Sequence, residues 1–310
     1  MALPDYTVSR LGLKDGNADA VELFLKVYAG EVLTAYEKKT IVKGRHLERT
    51  IASGKSAQFP LTWKAVASLH TPGAMIDGQS IKHSEKVIDI DGLLIAPVFI
   101  ASIDEAMNHY EVRSIYTNEQ GIALADQYDR EVLQCIILAS RDSETFTGSG
   151  AGSSVTDADL ATDADILAGA LMSAGQKMDE LNVPESPRFA AFKPALYWLL
   201  LQSDLVINRD YSNGGNVQKG KVWELAGIEI LKSNNVPSTN INSGITKYRG
   251  DFTKTKGVVW HPQAAGTVKL MDLALESEYL ITHQGTLMVA KYAVGHDSLR
   301  PEGAVEIALP

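Results

Sequence analysis

The stretch "RTIASGKSAQFP", residues 49–60, decides between two folds. Its Gly54, Lys55 and Ser56 end like a P-loop, G-x-x-x-x-G-K-[ST], in which backbone N–H groups wrap phosphate and the lysine neutralises it. Counting back five residues from Gly54 gives Arg49 where the first glycine belongs. Without that glycine the loop does not readily take the positive φ angles that turn successive N–H groups inward. A P-loop also opens a helix, whereas "AQFPLTW" (57–63) carries Pro60 and the β-formers Phe59, Thr62 and Trp63. The stretch reads as a strand, and a P-loop-like nucleotide hydrolase is the weaker alternative.

Outward from it, residues 44 to 100 read as strand throughout. "TPGAMIDGQS" (71–80) makes an irregular tip, and "IKHSEKVIDIDGLLIAPVFI" (81–100) returns, with Ile88 and Ile90 alternating with Asp89 and Asp91. That period of two marks a strand with one dry and one wet face. A two-stranded arm of this length is poorly stable alone, so something else must cover it.

The flanks are helical or mixed. Residues 1 to about 16 are broken by Pro4, Gly12 and Gly16, and Asn17 can cap a helix in which Val21, Phe24, Leu25, Tyr28, Val32 and Tyr36 recur at helical spacing. Ser102 with Glu105 forms a capping box for a helix running to about Ser140, ~55 Å at 1.5 Å per residue. Ile103, Met107, Tyr110, Leu124, Tyr128, Val132 and Ile136 supply its buried stripe, and Gly121 is the expected bend. "TGSGAGSS" (147–154) is a flexible boundary, after which Thr162 with Asp165 caps a helix to about Leu181. "AALYWLLLQ" reads as helix, "WELAGIEILK" and "KGVVWH" as strands, and "GTLMVAKYAV" and "GAVEIAL" as strands flanking a "GHDSLRPEG" turn.

Composition narrows the function. The chain has 310 residues, 45% of them hydrophobic and 22% charged, as in a soluble protein with a real core. A net charge of −9 opposes a dedicated nucleic-acid binder, because phosphate affinity comes from displaced counterions. Cys135, the sole cysteine, allows no intrachain disulfide or cysteine-rich zinc site and reads as a small buried hydrophobe. No secretory signal opens the chain, and its apolar runs fall short of the ~20 residues that span a bilayer. "DADLATDAD" (157–165) departs from a calcium loop at Ala161, Thr162 and Ala168. The seven histidines form no metal-ligand pair, and His296 beside Asp297 sits in the expected turn. No catalytic, cofactor-binding or metal-binding constellation is assembled, and a projecting β-arm instead points to a subunit that engages copies of itself.

Three blocks carry a resemblance. "LFLKVYAGEVLTAYEKKTIVKGRHLERTIASGKSAQFP" (23–60), "IKHSEKVIDIDGLLIAPVFIASIDEAMNHYEVRSIYT" (81–117), and "GTVKLMDLALE" (266–276) with "AKYAVGHDSLRPEGAV" (290–305) closely resemble the major capsid proteins of autographivirus-type short-tailed (podovirus) phages. The resemblance implies an α+β, Hong Kong 97-like capsid fold. Residues 1–43 would be an N-terminal arm, 44–86 the extended hairpin or E-loop, and 87–150 a peripheral domain with the spine helix. Residues 151–265 would be an axial domain, with 266–310 returning to the peripheral domain. The implied role is structural: hexamers and pentamers of an icosahedral head around double-stranded DNA, with no enzymatic chemistry and no cofactor. Its partners would be further copies, a scaffolding protein, a portal protein and DNA held only by weak non-specific proximity, with no membrane. Assembly would take place in the bacterial host cytoplasm and end in the virion capsid. An encapsulin-like compartment is the alternative with the same fold. Lys55, Phe59 and Trp63 on the outgoing arm are the expected subunit contacts.

Overall fold

The computed structural model describes residues 39–62, 65, 67, 69–73, 75, 76, 78, 80, 81, 83–103, 113–145, 149–203 and 224–310. Most of the expected arm, including its helix, lies outside these residues, as do Trp63, Glu105, Met107 and Tyr110. In chain order the elements are β1 (Leu47–Thr50), β2 (Ser56–Thr62), β3 (His83–Asp89), β4 (Leu93–Ala101) and the helix α1 (Arg113–Ala139). There follow β5 (Ser153–Thr156), α2 (Ala164–Glu180), β6 (Arg188–Phe192), α3 (Pro194–Leu200), β7 (Glu224–Leu225) and β8 (Ile228–Lys232). The chain ends in β9 (Asn240–Ile241), β10 (Gly250–Asp251), β11 (Thr255–Trp260), β12 (Ala265–Leu280), β13 (Gly285–Ser298) and β14 (Ala304–Ala308). No described helix is long and apolar enough to cross a membrane.

The chain divides into two compact units. Of the described residues, the first holds 39–41, those within Asp91–Asp129, and Lys269–Val294. Here β4 runs antiparallel to β13, from Leu93 opposite Ala293 to Ala101 opposite Gly285. The first part of α1 lies against this sheet: Gln120 donates from Nε2 to the carbonyls of Ala96 (2.8 Å) and Met288 (3.3 Å), and Tyr292 donates its hydroxyl to Leu124 O (3.2 Å). Ile100 and Met288 form a small apolar centre with Val98 and Tyr116 against it. Leu124 and Tyr128 of the expected stripe are buried, whereas Ile103 is 64% exposed and belongs to no core.

The second unit holds Val42–Ile90, Arg130–Val268 and Gly295–Pro310. Its six-stranded sheet has the order β5-β14-β11-β6-β8-β7. β14 pairs parallel with β5 and antiparallel with β11, and β6 pairs parallel with β8. Strands buried on both faces read as apolar runs, and β6 and β14 are buried at every position. Leu167, Leu171 and Met178 of α2 and Leu196 and Leu200 of α3 join Phe192, Val259 and Ile307 in one core. The second part of α1, Val132–Ile137, is buried all round, as a helix in the middle of a core must be. Thus β13 returns beside β4, while β14 enters the larger sheet.

Four local readings are corrected. Asp163, not Thr162, caps α2: its carboxylate accepts from the Asp165 and Ile166 amides, while the Thr162 hydroxyl is spent on Asp159 O. "WELAGIEILK" is a hairpin rather than one strand, because Ala226 and Gly227 both take positive φ, 52° and 76°. The outgoing strand starts at Ser56, and the preceding Gly54 bends at φ 118°. His296 and Asp297 lie inside β13 and not in a turn; the reversal comes at Leu299–Gly303, where Pro301 opens a 3-10 turn.

Candidate functional site

The hairpin β2–β3 has a fastened root and an uncovered tip. The strands pair from Ser56 opposite Asp89 to Thr62 opposite His83. Along β2 the side chains alternate, with Ala57 and Leu61 buried and Ser56, Gln58, Pro60 and Thr62 exposed. Across from Ala57 stands Ile88, fully buried. These two join Val268 and Leu299 in a separate apolar cluster, against which Ile51, Phe59 and Ile90 pack. Burying Ile88 alone contributes about 1.5–3 kcal/mol.

Polar contacts hold the same root. Lys86 Nζ lies 3.6 Å from Asp297 Oδ2, Arg300 donates from Nη2 to Thr62 O (3.3 Å), and Lys247 donates from Nζ to Asp89 O (3.3 Å). Backbone also closes on backbone: a Cβ at Gly295 would stand 2.1 Å from Asp89 O, so only glycine fits there. On the outer side Arg49 donates from Nη1 to Gln58 O (2.6 Å) beside an open groove of about 520 Å³ lined by Ile51, Pro60 and Glu85 among others.

Beyond the Leu61–Ser84 pair every described residue from 65 to 81 is exposed. Leu69, Met75 and Ile76 are 102%, 88% and 78% exposed, and Ile81 is also open. Apolar side chains gathered at the end of an anchored arm suit burial on another surface. Of the expected contacts, Lys55 sits exposed in the bend before β2, with its carbonyl accepting Ile90 N (2.9 Å). Phe59 faces the root cluster, opposite Lys86, and Trp63 lies outside the described residues. Leu69, Met75 and Ile76 went unread as contacts, although apolar side chains before and between the turn-formers Pro72, Gly73 and Gly78 were the available signal.

Charged side chains elsewhere tie elements together. Arg141, just past α1, donates from Nε and Nη2 to both carboxylate oxygens of Glu306 on β14 (2.7 Å each), and its guanidinium stacks 5.3 Å from the Phe252 ring centre. Arg188 is buried and donates to Asp179 Oδ1 (2.6 Å), Val183 O (2.7 Å) and Pro184 O (2.9 Å), closing the end of α2. Glu302 and His261 line a cavity of about 50 Å³ with Arg300. Burial lifts the Glu302 carboxyl above its ordinary 4.5, and the Arg300 guanidinium only partly opposes this. Burial, then Arg188 and Arg300, push His261 below 6.5.

Asp297 turns to Lys86 and its neighbour's amide rather than to His296. Cys135 is buried, and among the described residues no three His, Cys, Asp or Glu side chains converge as metal ligands.

Comparison with known proteins agrees with a structural role. A family model described as "Gp10A-like: Major capsid protein" matches residues 58–308. The chain is 36% identical to the major capsid protein of Escherichia phage T7, over 92% of this chain and 91% of that one. It is 42% identical to a chain of the solved capsid of Cyanophage P-SCSP1u, with a TM-score of 0.79 and 99% of both chains covered. The mature capsid of bacteriophage PhiM1 has a TM-score of 0.73 at 20% identity, covering 97% of this chain and 92% of that one, and shares the Hong Kong 97-like fold.

Proposed function

The chain belongs to the Gp10A-like major capsid protein family, and on that premise we propose that it self-assembles into hexamers and pentamers of an icosahedral phage head enclosing double-stranded DNA. The observation that carries this reading is the uncovered apolar tip on a hairpin whose root is buried. Head-to-tail contacts that close into rings need a patch on one copy that fits a different patch on the next, and an anchored arm reaching outward supplies the first.

In this reading residues 44–86 are the E-loop, 87–150 the peripheral domain with α1 as spine, and 151–265 the axial domain. Residues 1–43 form the arm, and 266–310 supply the closing strands. Lys55, Phe59 and Trp63 belong to the contact with a neighbour, Phe59 by bracing the root from within. The work is mechanical and requires no catalysis. A scaffolding protein and a portal protein complete the assembly in the host cytoplasm, and DNA lies against the shell by weak proximity. The net charge of −9 supports that last point, because a wall that repels phosphate mildly lets DNA slide.

Electron microscopy of the protein, alone and coexpressed with the scaffolding protein, tests the proposal. Closed shells are expected, and a monomer that never assembles refutes it. Shells filled with protein cargo rather than DNA in infected cells favour the encapsulin-like alternative. Lys55→Ala is expected to lower shell yield, and an unchanged yield and melting temperature remove Lys55 from the contact.

A further inference from the structure

A chain of polar side chains inside the second unit takes no part in the assembly reading. His46 and Tyr248 are each 5% exposed, and Thr267 and His296 are fully buried. His46 Nδ1 lies 3.0 Å from Val42 O and its Nε2 lies 2.7 Å from Thr267 Oγ1. The same hydroxyl oxygen lies 2.7 Å from His296 Nδ1, and His296 Nε2 is 3.8 Å from Glu131 Oε2 on α1. At the other end Glu48 Oε1 is 3.8 Å from His46 Nε2.

Counting protons along this chain constrains its charge. A carbonyl only accepts, so His46 Nδ1 carries a hydrogen. A hydroxyl has one proton and donates to one ring, so the other ring must donate to it. If Thr267 donates to His46 Nε2, His296 gives its Nδ1–H to Thr267, and a neutral His296 would then turn a bare Nε2 toward the Glu131 carboxylate. Two acceptors facing one another in a dry site are unfavourable, and a proton between them resolves the conflict. If Thr267 instead donates to His296 Nδ1, His46 must carry both ring protons, with Glu48 as its counter-charge. The two arrangements hold the same number of protons and differ in whether His46 Nε2 or His296 Nδ1 carries the hydrogen that is given to Thr267.

We propose that the buried His46–Thr267–His296 chain holds one excess proton between the carboxylates of Glu48 and Glu131, and that its charge passes from one end to the other by a paired shift in which Thr267 gives its hydroxyl proton to His46 Nε2 as His296 Nδ1 gives its own to the Thr267 oxygen. The proton fastens three segments to one another: the one entering the hairpin (His46), the long strands β12 and β13 (Thr267 and His296), and helix α1 (Glu131). Among the described residues, further groups surround the chain. The Tyr248 hydroxyl accepts His296 N (3.2 Å), the Lys247 ammonium stands 5.1 Å from the Tyr248 ring centre, and Asp297 faces Lys86. Glu48 is also held in place by Gly44 N (3.2 Å).

Nitrogen-15 solid-state NMR of the full-length, histidine-labelled protein reads the ring protonation directly. The expected spectrum at about pH 8, beyond the range where a free histidine is charged, shows one imidazolium shared between His46 and His296. Two neutral rings at that pH overturn the proposal. In Glu48→Gln/Glu131→Gln, whose amides can donate where the carboxylates accept, the imidazolium signal is expected to vanish. The wild-type melting temperature should fall relative to this double variant by ~3 °C between about pH 6 and 9. A surviving imidazolium in the folded double variant, or parallel melting profiles, overturns the proposal as well. Neither readout depends on shell formation, so failure here is separable from failure of the assembly reading.

Discussion

Replacing Met75 and Ile76 together by aspartate attacks the uncovered tip of the hairpin while leaving its root intact. Both side chains are almost wholly exposed in the single chain, so their removal leaves the fold's own core untouched. Burial of each against a neighbour contributes about 1.5–3 kcal/mol, or ~4 kcal/mol for the pair in every subunit contact. Two carboxylates forced into the same contact add a desolvation penalty of ~2 kcal/mol or more. At 1.4 kcal/mol per factor of ten, the apolar loss alone weakens each contact by ~10³. The assay is sedimentation of shells from cell lysate with negative-stain microscopy of the pellet. Circular dichroism and a thermal melt of the unassembled fraction test the fold. The expected outcome is a soluble, folded chain that no longer pellets. A full yield of closed shells that dissociate at the wild-type temperature would refute the reasoning, because the tip would then contribute nothing to the contact.

Further outcomes follow from the interior. Ile88→Ala opens a cavity in the root cluster and should lower stability by about 3 kcal/mol, with faster hydrogen exchange in β2 and β3 than in the six-stranded sheet. Uniform exchange across both would contradict the separate root. Arg188→Lys keeps the charge but loses the planar fork that serves Asp179 and three carbonyls, so a melting experiment should show a loss of ~2 kcal/mol. For Glu302, the folded chain retains a proton above 4.5 where the unfolded chain has released it, so its stabilisation is full at low pH and lost as pH rises through the folded value. Glu302→Gln should therefore melt above wild type at about pH 8, with the gap closing toward pH 4.5; a constant gap would contradict the burial effect.

Much of this architecture was legible because period and burial coincide. Ile88 and Ile90 alternate with aspartates, and both pack at the hairpin root. Leu124, Tyr128, Val132 and Ile136 recur on one stripe of α1, and all four are buried. What escaped depended on partners distant in the chain. His296 stands between Gly295 and Asp297 and near Pro301, a local setting that signals a turn; its strand exists because Thr267 supplies a buried hydrogen-bond partner and Gly295 lets the backbone close on Asp89. That Phe59 also packs against Val268 and Leu299 at the root was not legible, because both lie some two hundred residues away in sequence. The cap of α2 was missed by one residue, since Thr162 and Asp163 are both good capping types and only the hydroxyl's engagement with Asp159 separates them.

The position of β14 between β5 and β11 has a consequence in time. On the ribosome, β5 emerges long before residues 304–308, and at ~5–20 residues per second it waits on the order of 10 s for the strand that pairs with it. The hairpin root waits as well, since Val268 and Leu299 are translated far later than Ala57 and Ile88. A nascent chain thus has an uncovered hairpin root and an open sheet until its last segment is made. Until then its unpaired strand edges and apolar root are the surfaces on which one half-made subunit could wrongly capture another.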